Sequence, residues 1–177
     1  MNYNLKNLCE KYNCDKLEHA YIEIYQKYFV NLKNQELNLL EIGVSDGASI
    51  KVWSDYFVNS NVVGIDIKNI DIEKKGLNRK NISIYQGSQS DKSFINKIIG
   101  IHRNFDIIID DGSHKLSDII ISLNTFFRNL TPGGFYVLED FKFPNYYPHL
   151  YDCSENKIDE ILNCLKNKKF YEFSCCF

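Results

Sequence analysis

No stretch of this chain approaches the roughly 20 consecutive apolar residues that a membrane span requires. Its start, Met1-Asn2-Tyr3-Asn4-Leu5-Lys6, lacks the apolar core of a secretory signal. A membrane protein or an exported one is therefore not expected. An excess of basic charge is also missing. The 21 Lys and Arg are set against 23 Asp and Glu, a net charge of -2, so there is no electrostatic reason to expect nucleic acid as a partner. The six cysteines, at 9, 14, 153, 164, 175 and 176, form no CxxC pair, which is the wrong spacing for structural zinc. Without a signal they read as free thiols in a reducing cytoplasm. Proline, methionine and tryptophan are scarce as well, which reflects composition bias and not chemistry.

What remains is an ordinary globular composition, 44% hydrophobic and 25% charged over 177 residues, enough for one domain. Residues 5–12 and 20–32 read as helices, the second with Tyr21, Ile24, Tyr25, Tyr28, Phe29 and Leu32 on one face. The period then changes. Apolar runs at 37–42, 61–66, 82–85, 105–110 and 135–138 read as buried parallel strands. Helical patterns at 47–57, 91–100 and 116–130 alternate with them, and residues 68–80 are polar and irregular. Thr131-Pro132-Gly133-Gly134 reads as a turn that ends the last of these helices before the fifth strand. A helix at 155–168 and one further strand at 170–173 complete the pattern. The expected fold is α/β, a Rossmann-like, doubly wound and mostly parallel sheet over 36–177, with residues 1–35 as a helical cap.

Ligands of such sheets bind beyond the carboxyl ends of the strands. The first strand ends Glu41-Ile42-Gly43-Val44-Ser45-Asp46-Gly47. Its glycines suit a sharp turn close to a ligand. A dinucleotide fingerprint would need Gly at Ser45 and is not met; a plain strand-to-helix turn is the other reading. The second strand ends at Asp66, whose carboxylate can accept both hydroxyls of a ribose or merely cap the next segment. The fourth strand ends Asp110-Asp111-Gly112-Ser113-His114 and the fifth Leu138-Glu139-Asp140. Four carboxylates and one histidine thus share a rim. Such acids repel unless a cation neutralises them, and a hard divalent ion such as Mg²⁺ takes oxygen ligands. His114, placed in a first helical turn, can then take a proton from a substrate hydroxyl. The bland reading makes Asp110 and Asp140 helix caps and His114 a structural residue.

Glu41-x-Gly43-x-x-x-Gly47 followed by Gly64-Ile65-Asp66 resembles motifs I and II of the class I S-adenosylmethionine-dependent methyltransferases. The resemblance implies cofactor contacts from Glu41, Gly43, Asp46, Asp66 and Asp110. It also places Ser88 and Gln89, in Gln86-Gly87-Ser88-Gln89-Ser90-Asp91, beside the adenine, although many members carry an acid where Ser88 stands. Asp-Asp-Gly-Ser-His with Glu-Asp is similar to the metal-dependent O-methyltransferases of macrolide sugars, and cephalosporin-hydroxylase-like proteins share part of it. Carried over, Asp111, Glu139 and Asp140 bind Mg²⁺ and His114 is the base. Cys14-Asp15-Lys16…His19-Ala20-Tyr21 resembles the Asp-Lys…His-x-Tyr segment of those enzymes and is expected over the cofactor or substrate.

The resemblance implies an S-adenosylmethionine-dependent O-methyltransferase acting on a saccharide or glycoconjugate hydroxyl. A non-catalytic cofactor-binding subunit and a metal-dependent hydroxylase are the alternatives. The family usually ends in an antiparallel hairpin that this chain lacks room for. It therefore reads as short, truncated, or completed at its sheet edge by a second copy in a homo-oligomer. The aromatic stretch 141–153 reads equally as a lid on the acceptor and as cover for the last helix.

Overall fold

The computed structural model describes residues 4–17, 21–140 and Asn163. The helix and strand expected at 155–168 and 170–173, the aromatic loop 141–153, His19 and the last four cysteines lie outside them. Five strands form one parallel sheet in the order β3-β2-β1-β4-β5. They are β1 (Asn38–Ile42), β2 (Asn61–Asp66), β3 (Ile82–Gln86), β4 (Phe105–Asp110) and β5 (Leu130–Leu138). The helices are α1 (Leu5–Tyr12), α2 (Tyr21–Phe29), α3 (Ala48–Tyr56), α4 (Lys92–His102) and α5 (Leu116–Phe126). The expected Rossmann-like α/β fold is present, with β1 central and the crossovers leaving it in opposite directions.

Local chemistry sets the element ends. Asn4 caps α1 by accepting from the Lys6 amide, and Asp91 caps α4 by accepting from Ser93 and Phe94. The helix expected over 20–32 stops at Phe29, and Val30–Leu32 tightens into a 3₁₀ turn. Residues 68–80 carry turns but no helix.

The Thr-Pro-Gly-Gly reading needs correction. Leu130–Leu138 is one strand, and the four residues are a bulge inside it. Phe105 pairs with Leu130 and Ile107 with Phe135, so four residues of β5 face the single Asp106 of β4. Gly133 has the expected positive φ of 84°. The excursion is pinned by a 2.8 Å bond from Thr131 Oγ1 to Asp106. Pro and Gly marked the special backbone correctly, but pairing resumed on both sides of it.

Strand alternation divides the core. One layer packs α1, α2 and α3 against Leu39, Val62, Ile107 and Ile109. The other packs Ile95 and Ile98 of α4 and Phe126 of α5 against Leu40, Ile42, Val63 and Ile108. The N-terminal helices therefore belong to the sheet's own apolar layer. Trp53 is its hub, fully buried between Tyr25, Phe29 and Phe57 with ring centroids 5.1–6.2 Å away. Asp55 of α3 binds Tyr12 Oη at 2.5 Å, Lys11 at 2.9 Å and Arg79 at 2.8 Å, fastening α1 to α3.

Trp53→Ala should lower the free energy of unfolding by about 3–5 kcal/mol, the usual range for emptying such a site. Gly100→Ala, on the exposed side of α4 with nothing within 4 Å of the added carbon, should raise it by about 0.5–1 kcal/mol. Denaturant titration of both variants checks the pair. A Trp53 variant as stable as the parent would deny that residue its central place.

Candidate active site

The turn after β1 lies where the crossovers part. The Gly43 amide donates to Ile65 O at 2.8 Å, and the Asp111 amide donates to Ile42 O at 2.9 Å. The ladder therefore extends past the strands and draws three loops together. Gly43 has φ 93°, and a Cβ there would stand 2.1 Å from Asp111 O. No other residue type fits. Asp66, at the end of β2, holds the turn: its Oδ2 accepts from the Val44 and Ser45 amides, both at 2.9 Å, and its Oδ1 from Lys68 at 2.8 Å. Each carboxylate oxygen has more than one acceptor site, so capacity remains on the open side.

Beyond this turn lies a cleft of about 370 Å³. Gly43, Ser45, Asp66, Ser88, Gln89 and Asp111 line it, with Asp15 and His114 at its margin. Gln89 is fixed by accepting from the Ser113 amide at 2.7 Å and donating to Asp110 at 3.1 Å. Gly112 makes room for it, since a Cβ there would sit 1.9 Å from Gln89 Oε1. A more open hollow of about 900 Å³ lies around Asp55, Arg79 and Asn81, where the strands begin. Parallel sheets bind ligands at the other end, so the smaller cleft is the candidate.

Three of the expected cofactor residues stand off the cleft wall. Asp46 is exposed and accepts from the Ala48 amide at 2.9 Å, opening α3. Asp110 is buried behind Gln89, where it also accepts from Ser122. Burial pushes its carboxyl up to about 6, against the hydrogen bonds from Ser122 and Gln89. Glu41 is fully buried beneath the turn and accepts from Ser49 Oγ at 2.9 Å.

Asp111, His114 and Asp140 each turn one ligand atom into a space where all three lie within 4.8 Å of one another. His114 Nε2 is 3.9 Å from Asp111 Oδ1. Two carboxylate oxygens and an imidazole at this separation suit a divalent cation. His114 does not open a helix as expected. It precedes α5 in a loop, with φ 57°. Glu139, one residue past β5, points into the layer under α2. There it accepts from the Tyr25 hydroxyl and, at 2.7 Å, from Lys16 Nζ.

Lys16 and Tyr21 fall in the segment expected over the cofactor or substrate, and the structure sets both against the rim acids; Tyr25, which joins them, belongs to no motif. Lys16 is 2% exposed. Its ammonium also binds Asp111 Oδ2 at 2.8 Å and approaches Glu41 Oε1 at 3.5 Å. Burial disfavours the ammonium, but the charges of Glu41, Glu139 and Asp111 outweigh it and hold Lys16 above the usual lysine range. Burial raises Glu41 to about 7 and Lys16 opposes it; Glu139 shifts the same way for the same reasons. Tyr21 Oη donates to Asp140 Oδ1 at 2.6 Å.

The cleft at the switch point carries the trio on its rim, and residues 16–157 of the sequence match a family model. This chain belongs to the FtsJ-like methyltransferases. It is 34% identical to the 8-demethyl-8-(2-methoxy-alpha-L-rhamnosyl)-tetracenomycin-C 3'-O-methyltransferase of Streptomyces olivaceus, over 77% of this chain and 36% of that protein. It is 32% identical to the mycinamicin VI 2''-O-methyltransferase of Micromonospora griseorubida, again over 77% and 36%. Among solved structures it resembles the MycE methyltransferase in complex with Mg, SAH and mycinamycin VI. The TM-score there is 0.81 at 29% identity, covering 94% of this chain and 47% of that one. The chain thus spans about a third of the length of these curated relatives.

Gly43→Ala forces an L side chain into positive φ and into Asp111 O. It should cost about 1–2 kcal/mol for the backbone and about 1–3 kcal/mol more for the overlap. Gly76→Ala, with φ 67° and nothing within 4 Å, should incur the backbone cost alone. Equal denaturation midpoints for the two variants would show that the β1 and β4 loops are not as tightly apposed as described.

Proposed function

We propose that this chain carries the catalytic site of an S-adenosylmethionine-dependent, Mg²⁺-assisted O-methyltransferase acting on a hydroxyl of a saccharide or glycoconjugate. The observation that carries this is the joining of the Asp111–His114–Asp140 trio to the Gly43–Asp66 cleft along one rim. The family supports methyl transfer, the curated relatives are named for sugar O-methylation, and MycE is in complex with Mg and SAH. In this reading residues 1–35 form a cap on a 36–177 catalytic domain, working in the cytoplasm.

When bound, S-adenosylmethionine supplies the methyl group and the divalent ion supplies positive charge beside the acceptor oxygen. The residues do the rest. Asp66 would accept a ribose hydroxyl at the free site of Oδ1, with Gly43 allowing the close approach. Ser88 and Gln89 flank the base. Asp111 and Asp140 would hold the ion, and Glu139, bonded to Lys16 and Tyr25, would add negative charge beneath them. His114, beside Asp111 at the margin of the cleft, would accept the proton of the acceptor hydroxyl. Most of the acceleration comes from holding oxygen and methyl in line and stabilising developing charge.

Excess EDTA should abolish methyl transfer to a glycosylated acceptor, and Mg²⁺ should restore it. His114→Ala should retain binding of S-adenosylmethionine yet lose about 10²–10⁴ in rate, the usual worth of a general base. Asp66→Ala removes a charged acceptor worth about 1.5–3 kcal/mol per bond, so calorimetry should show affinity for S-adenosylmethionine down at least about tenfold. Full activity in EDTA sinks the metal assignment, and unchanged affinity in Asp66→Ala sinks the ribose assignment.

A further inference from the structure

Three rim acids that follow β4 and β5, Asp111, Glu139 and Asp140, are each gripped by the N-terminal segment. Lys16 Nζ holds Asp111 Oδ2 at 2.8 Å and Glu139 at 2.7 Å. Tyr25 Oη donates to Glu139 as well, and Tyr21 Oη donates to Asp140 at 2.6 Å while accepting from the Asp140 amide at 3.3 Å. The grip is firm because the segment itself is packed: Leu5, Leu8, Cys9, Cys14 and Tyr25 are all buried in the layer below the sheet. The two oxygens of Asp111 are divided, Oδ2 to Lys16 and Oδ1 toward His114 at 3.9 Å. One buried polar atom aims into the cluster without a hydrogen bond, Glu41 Oε1, which has only the Lys16 charge 3.5 Å away.

We propose that Lys16, assisted by Tyr21 and Tyr25, is a positioning residue for the divalent cation: it fixes Asp111 and Glu139 so that the remaining oxygen of Asp111 faces the ion. The inference rests on the metal-assisted reading above. Lys16 touches neither cofactor nor reacting atoms; it acts through the acids. Two effects of its ammonium have opposite signs, which makes the idea testable. As a mere positive charge beside a ligand carboxylate it weakens cation binding, so removing it would tighten binding. As an orienting donor it strengthens binding, and loss of such an outer partner typically costs about 10–100-fold in metal affinity.

The test is Mn²⁺ binding to the full chain, by calorimetry and by the spin-resonance signal of bound Mn²⁺, with S-adenosylmethionine affinity measured in parallel. Lys16→Met keeps the length and removes the charge. It should weaken Mn²⁺ at least tenfold while S-adenosylmethionine affinity stays within about twofold. Tyr25→Phe and Tyr21→Phe, which delete one hydroxyl each, should weaken Mn²⁺ by smaller factors. They carry the test alone if Lys16→Met does not fold. Unchanged or tighter Mn²⁺ binding in the folded variants overturns the positioning role and leaves the methyltransferase reading standing. A parent protein that binds no Mn²⁺ at millimolar concentration overturns the metal reading, and this inference with it.

Discussion

The hydrogen bond from the Asp111 amide to the Ile42 carbonyl is where the molecule's organisation converges. It extends the β1–β4 ladder one residue beyond the strands. The Asp111 carbonyl is thereby pressed so near Gly43 that no side chain is tolerated there. Everything the site uses hangs on that closeness. Asp66 reaches the turn because Gly43 stays in register with Ile65, and Gln89 reaches Ser113 because Gly112 lies beside it. The open cleft is the space left where successive crossovers diverge, which is why parallel sheets of unlike sequence bind ligands at the same place.

The second constraint is charge. Glu41, Asp111 and Glu139 converge under the rim, and water is excluded from two of them, since Glu41 and Glu139 are at most 4% exposed. Buried like charges cannot stay ionised together without a cation. Lys16 is that cation, and it arrives from a segment 95 and 123 residues away along the chain from its partners. Folding of the N-terminal helices against the sheet is therefore inseparable from building the acid cluster. A buried charge network of this kind is a poor source of stability; its value lies in fixing geometry.

The sheet could be read from the sequence because parallel strands buried on both faces leave continuous apolar runs, and β2 and β4 fell on the expected residues. The bulge in β5 could not be read. Gly133 announced its positive φ, but whether pairing resumes beyond a turn depends on the neighbouring strand, here on Asp106 catching Thr131. The rim residues were legible as a group because their types and strand-end positions coincide. Their individual placements were not: Glu139 and Asp140 lie past the end of β5, and the carboxylates of both meet tyrosines of α2. Nor was Lys16. A lysine is almost never fully buried unless paired, and nothing near it in the chain names a partner more than ninety residues on.

Backbone conformation gives the same site a separate signature. Among the described residues five non-glycine positions have positive φ, and three of them are Ser45, His114 and Asp140. Each such residue costs about 1–2 kcal/mol over the right-handed region, less for His and Asp than for a branched side chain. These conformations persist only where the surroundings over-determine them, and here they do. The Ser45 amide is held by Asp66, Asp140 is held at both amide and carboxylate by Tyr21, and His114 is flanked by Ser113, whose hydroxyl binds Asp118 at 2.7 Å. All three turns aim groups at the same rim: an amide-lined cradle, an imidazole and a carboxylate. A fold that needed these loops only to connect strands to helices had ordinary turns available. Three of the five non-glycine positive-φ positions among the described residues thus gather on the rim of the cleft.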